Sequence, residues 1–374
     1  MTDWKKIRAE FPALENWTFL NTATFGQLPR RAVEAAAGHF ARRDRYACDD
    51  FMEWFADADG IRASIARLIN AAADDIAFIP NACSGLSLLM GGIDWKPGDR
   101  VVTLEDEFPN HYYYASFLRG QGVEFIETPF ERFHECITPR TRVVAISMLN
   151  YSTGFRPPLP LIAQFLRDRG ALLYVDGTQG LGGLQFDVES VKPAMFSVNG
   201  YKWMLSPTGA AFLYVDPEVR AWLRPNVIGW RSHSGWRQHE NLHHGAPEFT
   251  SKAERYEGGM LAFDPIYAMG ASVGMMLEIG PELIESRVMQ LAALTRDALR
   301  RAGGKLPADR DAHFESPVVT ARFEGTDARQ LVRDLHARKV LVAARHGNLR
   351  VSPHFYNDET DLDRFERELK QVLS

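Results

Sequence analysis

The sequence predicts an α/β fold: a mostly parallel sheet with helices on both faces, followed by a smaller α+β lobe. Two observations carry that prediction. Seven short apolar runs alternate with helical stretches, and the texture changes after about residue 250. The runs are IAFIP at 76–80, RVVTLE at 100–105, VEFIETP at 123–129, RVVAISML at 142–149, ALLYVD at 171–176, MFSVN at 195–199 and AAFLYV at 210–215. Between them lie helical segments such as 61–70, 84–91, 110–119 and 159–169. Such alternation is the pattern of a parallel sheet covered on both sides. Three of the runs are almost continuously apolar, as strands buried on both faces must be. Beyond residue 250 a long helical stretch runs from Pro265 to about Ala302, interrupted near Gly280-Pro281. PVVTARF at 317–323, a helix at 326–339, a strand segment at 340–353 and a closing helix from Asp358 follow, with Asp and Thr residues at the helix starts. The expected division is a large lobe at 17–250 and a small lobe at 265–374, with residues 1–16 a candidate addition to the small lobe. At roughly 150 residues per domain, 374 residues agree with two lobes.

Composition excludes several function classes. Lys plus Arg is 43 and Asp plus Glu is 48, a formal net charge of -5, which lacks the basic excess of a phosphate-binding nucleic-acid partner. The run Arg42-Arg43-Asp44-Arg45 is broken by acid and reads as a solvated helix face. No apolar run approaches the roughly 20 residues of a membrane span, and the first residues lack the apolar core of a secretory signal. Cys48, Cys83 and Cys136 are odd in number and widely spread, against a disulfide framework or a zinc ribbon. A cytoplasmic enzyme without a metal site is expected.

Three segments carry chemistry. SVNGYKWMLSPTGAAFLYV at 197–215 places Lys202 at a strand end among aromatic and apolar residues. Such surroundings strip hydration and lower an amine's pKa toward that of a Schiff-base lysine, although many lysines beside aromatics merely snorkel. ALLYVDGTQGLGG at 171–183 ends a buried strand in Asp176, where α/β proteins bind ligands. That carboxylate suits a metal, a ribose, a protonated ring nitrogen or a helix cap, and its glycines do not spell a dinucleotide fingerprint. IAFIPNACSGLSLL at 76–89 turns through Asn81-Ala82-Cys83-Ser84 into a helix, offering free N–H groups for a phosphate or a plain cap. Together, a phosphate cradle, a strand-end Asp and a strand-end Lys are what pyridoxal 5′-phosphate requires.

The chain resembles the fold-type I pyridoxal-phosphate enzymes of aminotransferase class V, from FLNTATFGQLP at 19–29 to LRVSPHFYN at 349–357. That group includes cysteine desulfurases, C–S lyases, kynureninases and isopenicillin-N-epimerase-like proteins. The resemblance implies a large lobe with a mostly parallel seven-stranded sheet, a small C-terminal α+β lobe and a homodimer with its site at the interface. It implies that Lys202 in NGYKW is the Schiff-base lysine and that Asp176 in VDGTQ faces the pyridine nitrogen. Gln179 would reach the ring hydroxyl, Phe108 would stack on the ring with His111 a second choice, and Asn150 would stand near cofactor or substrate. Ala82, Cys83, Ser84 and Tyr201 would hold the phosphate. Cys83 stands where relatives commonly have Thr, trading a hydroxyl for a weak thiol donor. Asn199 replaces a frequent Ser, and Met260 in RYEGGM at 255–260 replaces a Thr that reaches the neighbouring subunit's phosphate. Arg350 would bind the substrate carboxylate, for which a planar guanidinium is the best geometric match.

The reaction is narrowed by cysteine placement. A desulfurase of this family needs a cysteine nucleophile in the small lobe, and no cysteine follows Cys136. Reactions needing only the lysine remain, with C–S lyase-type β-elimination first. Epimerisation, transamination and kynureninase-type cleavage are the alternatives, and a non-catalytic scaffold of the same fold is the different class. The segment 227–249, rich in Trp and His, is expected to face the substrate; the spacing of His239, His243 and His244 does not make a zinc set.

Overall fold

The computed structural model describes residues 2–307 and 311–374. After a short β1 (Thr18–Phe19) come β2 (Ile76–Ile79), β3 (Arg100–Leu104), β4 (Glu124–Thr128), β5 (Thr141–Ser147), β6 (Leu172–Asp176), β7 (Met195–Asn199) and β8 (Ala211–Val215). The last seven of these form one sheet in the order β2-β8-β7-β6-β5-β3-β4, in which only β8 runs against its neighbours. Every residue of β2, β7 and β8 is buried, which is why their sequences read as unbroken apolar runs. The chain leaves β3 toward β4 on one side and β5 toward β6 on the other. The loops after β3 and β5 therefore diverge and open a crevice at the carboxyl ends of the strands.

Helices cover both faces. Arg30–Tyr46 precedes Phe51–Leu68, so the helix expected at 61–70 begins a good two turns earlier. Arg42 on the first of these is a tether rather than a solvated charge: it pairs with Asp50, with Glu53 at 2.7 Å and with Asp57 at 2.8 Å. Phe263–Ile279 and Pro281–Arg301 meet at Gly280, whose φ of 95° suits glycine and breaks the long helical stretch where the sequence places the interruption.

The C-terminal region departs from the simple strand expected at 340–353. Here β9 (Val319–Ala321), β10 (Val340–Leu341), β11 (Ala343–Arg345) and β12 (Asn348–Val351) are separate. β11 and β12 form a hairpin whose turn residues His346 and Gly347 have φ of 48° and 79°, left-handed values that a tight hairpin turn requires. β12 also pairs antiparallel with β9. β10 instead runs parallel to β1, which brings residues 18–24 against the hairpin. Ahead of β1, Phe11 packs on Phe355 and Tyr356, and Arg8 pairs with Asp361 at 2.6 Å.

Segment 227–249 is built differently from a substrate-facing loop. Trp236 is buried against Phe55, with Trp230 packed beside both, and the Arg231 guanidinium lies 4.5 Å from the Trp236 ring and 4.8 Å from the Phe55 ring. His233 stacks on His243 and His239 meets Phe51, and no metal-binding cluster exists among the described residues. The apolar bulk of the tryptophans seats this segment on the helix Phe51–Leu68.

Glu257, fully buried, fixes the segment. It accepts hydrogen bonds from Arg62 at 2.6 Å and from the Phe78 backbone at 2.8 Å, and pairs with Arg231 at 2.7 Å. The two guanidiniums hold its carboxyl below the usual range, overcoming the opposite pull of burial. Glu257→Ala strands two buried cations, so equilibrium urea unfolding is expected to show a loss of about 3–5 kcal/mol.

Candidate active site

Lys202 sits in the turn that follows β7. The turn closes through Ser206 N–H to Gly200 O at 2.9 Å and Leu205 N–H to Lys202 O at 3.1 Å. Its backbone is pinned from outside. Trp203 donates its indole N–H to Gln179 Oε1 at 3.2 Å, and its carbonyl accepts from His354 Nε2 at 2.8 Å. That bond makes His354 the Nε2–H tautomer, while Nδ1 accepts from Phe355 N–H at 2.8 Å. Burial pushes its pKa down to about 3, so the ring stays neutral. On the other side Gly26 approaches so closely that a Cβ would lie 1.9 Å from Lys202 O, which excludes any residue with a side chain.

The Lys202 side chain is 9% exposed, with Nζ 5.6 Å from the Phe108 ring centre and 5.7 Å from that of Tyr201. Burial lowers its pKa to about 8; the Asp176 carboxylate opposes this, and Arg350 and Arg345 reinforce it. Asp176 ends β6, in register with Ser147 of β5 and Ser197 of β7. One carboxylate oxygen accepts from Thr178 N–H at 2.8 Å. The Thr178 hydroxyl then accepts from the Asn199 backbone at 3.1 Å and its side-chain amide at 3.3 Å, so adjacent strand ends are locked together. Phe108, Asp176, Gln179, Asn199, Tyr201 and Lys202 line one cleft, with Asn110, Ser147, Tyr151 and Thr178.

Other expected residues stand apart from that cleft. Asn150 belongs to a neighbouring one, lined by Glu105, Asp106 and Phe155 among others. Its side chain organises a turn: Oδ1 accepts from the Ser152 and Thr153 backbones and the Ser152 hydroxyl, while Nδ2 donates to Asp106 O. At the start of the helix Ala82–Gly92, the Ala82 N–H is taken by Asn199 Oδ1 at 2.9 Å. Both Ser84 N–H and its hydroxyl go to Asn81 Oδ1. Asn81 is thus the helix cap, and Cys83 is exposed in the same first turn. His111 is fully buried as a core histidine, its Nδ1 3.2 Å from Glu107; Glu107 in turn accepts from Ser147 N–H and Oγ–H. Glu107 raises the His111 pKa against burial, and its bonds to Ser147 brace the β3 loop to the end of β5.

Arg350 on β12 is fully buried. Nη1 donates to Tyr151 O at 2.7 Å, and Nη2 donates to Thr24 Oγ1 at 2.5 Å and approaches Asn21 Oδ1 at 3.4 Å. Its Nε has no hydrogen-bond partner, and no carboxylate faces it among the described residues. Burial and Arg345 lower its pKa to about 9. Arg345, at the end of β11, also donates to Thr24 Oγ1, at 3.3 Å. Sequence reasoning missed Arg345, Thr24 and His354. The only available signal was their place inside the quoted segments FLNTATFGQLP and LRVSPHFYN or just before the latter.

The aminotransferase class-V family model matches residues 21–365, and the chain belongs to that family. The chain is therefore an enzyme of a pyridoxal-phosphate-dependent class. It is 27% identical to an isopenicillin N epimerase of Amycolatopsis lactamdurans, with 99% of each chain covered. It is 25% identical to the uncharacterized aminotransferase YcbU of Bacillus subtilis over 96% of this chain and 95% of that one. A probable cysteine desulfurase of Methanothermobacter thermautotrophicus is 24% identical, over 98% and 97%. Among solved structures, the cystine C–S lyase C-DES in complex with cysteine persulfide superposes with a TM-score of 0.87 at 21% identity, covering 96% of this chain and 99% of that one. The apo cysteine desulfurase of Thermococcus onnurineus gives 0.89 at 19%, covering 100% and 98%. These likenesses establish the fold-type I architecture.

The buried amine of Lys202 predicts a titration in an accessible range. The rate at which the apoprotein takes up added pyridoxal phosphate, followed by absorbance, is expected to rise with pH through about 8, because only the neutral amine is nucleophilic. In Asp176→Asn, which removes the one charge that favours the ammonium, the midpoint is expected to move lower.

Proposed function

We propose that this enzyme acts at Cα of an amino acid with pyridoxal phosphate in the Lys202 cleft, and that its reaction is β-elimination of the C–S lyase type. One observation supports this above the rest. A buried amine whose pKa is lowered to about 8 and a strand-end carboxylate line one cleft, and a buried guanidinium grips the carbonyl of Tyr151 on its wall; neither the carboxylate nor the guanidinium has an ion-pair partner among the described residues. The residues fit the cofactor: Asp176 would hold a protonated ring nitrogen, Phe108 would lie over the ring, and Gln179 has an amide proton left after bonding Ala23 O at 3.0 Å. The phosphate would fall to the first turn of Ala82–Gly92 around Cys83, with Tyr201 beside it, the Ser84 donors being released from Asn81 if they join. When bound, the cofactor supplies an electron sink for charge developing at the substrate Cα.

Lys202 is then both base and acid. Its Nζ takes the Cα proton, and the resulting ammonium returns a proton to the departing sulfur. Arg350 holds the α-carboxylate and so sets which bond Lys202 faces. Persulfide-forming desulfuration lacks its nucleophile: Cys83 is exposed at a helix start, and Cys48 and Cys136 do not line the cleft. Phe25, Val227, Ile228 and Met260 are large apolar side chains left half-exposed, as residues covered in a homodimer would be.

The decisive experiment scores the holoenzyme for pyruvate, sulfide and racemisation on L-cysteine, L-cystine and L-alanine. Lys202→Ala is expected to lose at least about 1,000-fold in kcat, within the range for a positioned proton-transfer group, with the fold unchanged by circular dichroism. Arg350→Ala is expected to raise KM more than it lowers kcat. Racemisation without pyruvate would replace elimination by epimerisation; full activity in Lys202→Ala would overturn the reading.

A further inference from the structure

One side chain in the substrate-facing wall has no task in the chemistry described so far. Arg345 is half-buried at the end of β11, where the hairpin turns. It donates through Nη1 to its neighbour's carbonyl, Ala344 O, at 2.8 Å, and through Nη2 to Thr24 Oγ1 at 3.3 Å. It forms no ion pair among the described residues. Thr24 Oγ1 gives its single proton to Asn21 Oδ1 at 2.8 Å, so the hydroxyl faces both arginines as an acceptor. Two guanidiniums thereby share one neutral oxygen, an arrangement that like charges do not adopt without anions to offset them.

Charge and depth separate their tasks. Arg350 is fully buried and lies closer to Lys202 in the chain of contacts through Tyr151, the lining residue whose carbonyl it grips. Arg345 is partly open to solvent beside His346, whose Nε2 is 3.0 Å from the Tyr151 hydroxyl. An α-carboxylate held at Arg350 offsets one cation and leaves the outer one. Arg345, the more exposed of the two, is then the cation left for a second anionic group.

We propose that Arg345 is a specificity-determining residue that binds a second anionic group, so that this site takes amino acids whose side chains end in a carboxylate or similar anion. The inference rests on the proposed cofactor site and Arg350 role. Thr24 orients both guanidiniums, and the Tyr151–His346 pair forms the rim of the outer subsite.

The test uses pyridoxal-phosphate-loaded enzyme and equilibrium titration, by absorbance and calorimetry, with probes matched except for distal charge. The pairs are L-aspartate against L-asparagine and L-glutamate against L-glutamine, with L-2-aminoadipate and L-cystine as longer acids and L-norvaline as a neutral reference. At least one acid is expected to bind about 10-fold or more tightly than its neutral match, the scale of one charge-assisted hydrogen-bonded contact. Arg345→Gln is expected to erase that preference while leaving L-norvaline affinity within about twofold, since the neutral probe never meets the outer subsite. Arg345→Lys, which keeps the charge, is expected to restore part of it. Equal weakening of every probe in Arg345→Gln would mean that both arginines clamp the α-carboxylate, and would overturn the proposal. So would a wild-type response to L-norvaline as strong as to every acid. A wild-type protein that answers no amino acid at all would instead overturn the cofactor-site reading on which the proposal stands.

Discussion

Lys202 feels the charges of Arg345, Arg350 and Asp176, a carboxylate that forms no ion pair among the described residues, and the rest of the site is arranged around that imbalance. Burial and mutual repulsion lower the amine to about 8 and the inner guanidinium to about 9, while Asp176 works in the opposite direction on the amine and Tyr151 on the guanidinium. Folding such a cluster costs free energy, since each cation loses hydration without gaining an anion. A protein retains that cost where ligands complete the charge balance. A protonated ring nitrogen at Asp176 and carboxylates at the arginines would do so, and a neutral lysine among them is a competent base.

Neutral hydrogen bonds hold the cations in place. The Thr24 hydroxyl and the Tyr151 carbonyl grip Arg350, Gln179 and His354 clamp Trp203 beside Lys202, and the absent side chain of Gly26 lets residues 21–26 close over the lysine turn. None of these partners is a carboxylate, so none cancels the field that tunes the lysine. Glu257, by contrast, is spent on cations of its own, Arg62 and Arg231.

What the sequence made legible was whatever lies within one continuous stretch. The buried strands announce themselves because parallel strands covered on both faces need apolar residues at every position, and Asp176 and Lys202 stand at the ends of such runs. The split of 340–353 into a hairpin was hidden, because His346-Gly347 is not among the common tight-turn pairs and flanking apolar residues continue the strand pattern. Asn150 was legible through the family resemblance, and the turn its Oδ1 builds after β5 was not. Arg345 and His354 act through partners more than 150 residues away, Thr24 and Trp203, and a single chain carries no pattern that links such pairs. The tryptophans of 227–249 misled for a related reason: an aromatic-rich segment fits a pocket wall and a packing wedge equally well, and only the position of Phe55 decides between them.

The central claim is that Lys202 is the residue to which the cofactor is anchored. Borohydride reduction of the holoenzyme followed by peptide mass mapping tests it without reference to any substrate. The account predicts loss of the visible absorption band and a pyridoxyl adduct on the peptide containing Lys202. An adduct on a different lysine, or none in protein saturated with pyridoxal phosphate, would contradict it.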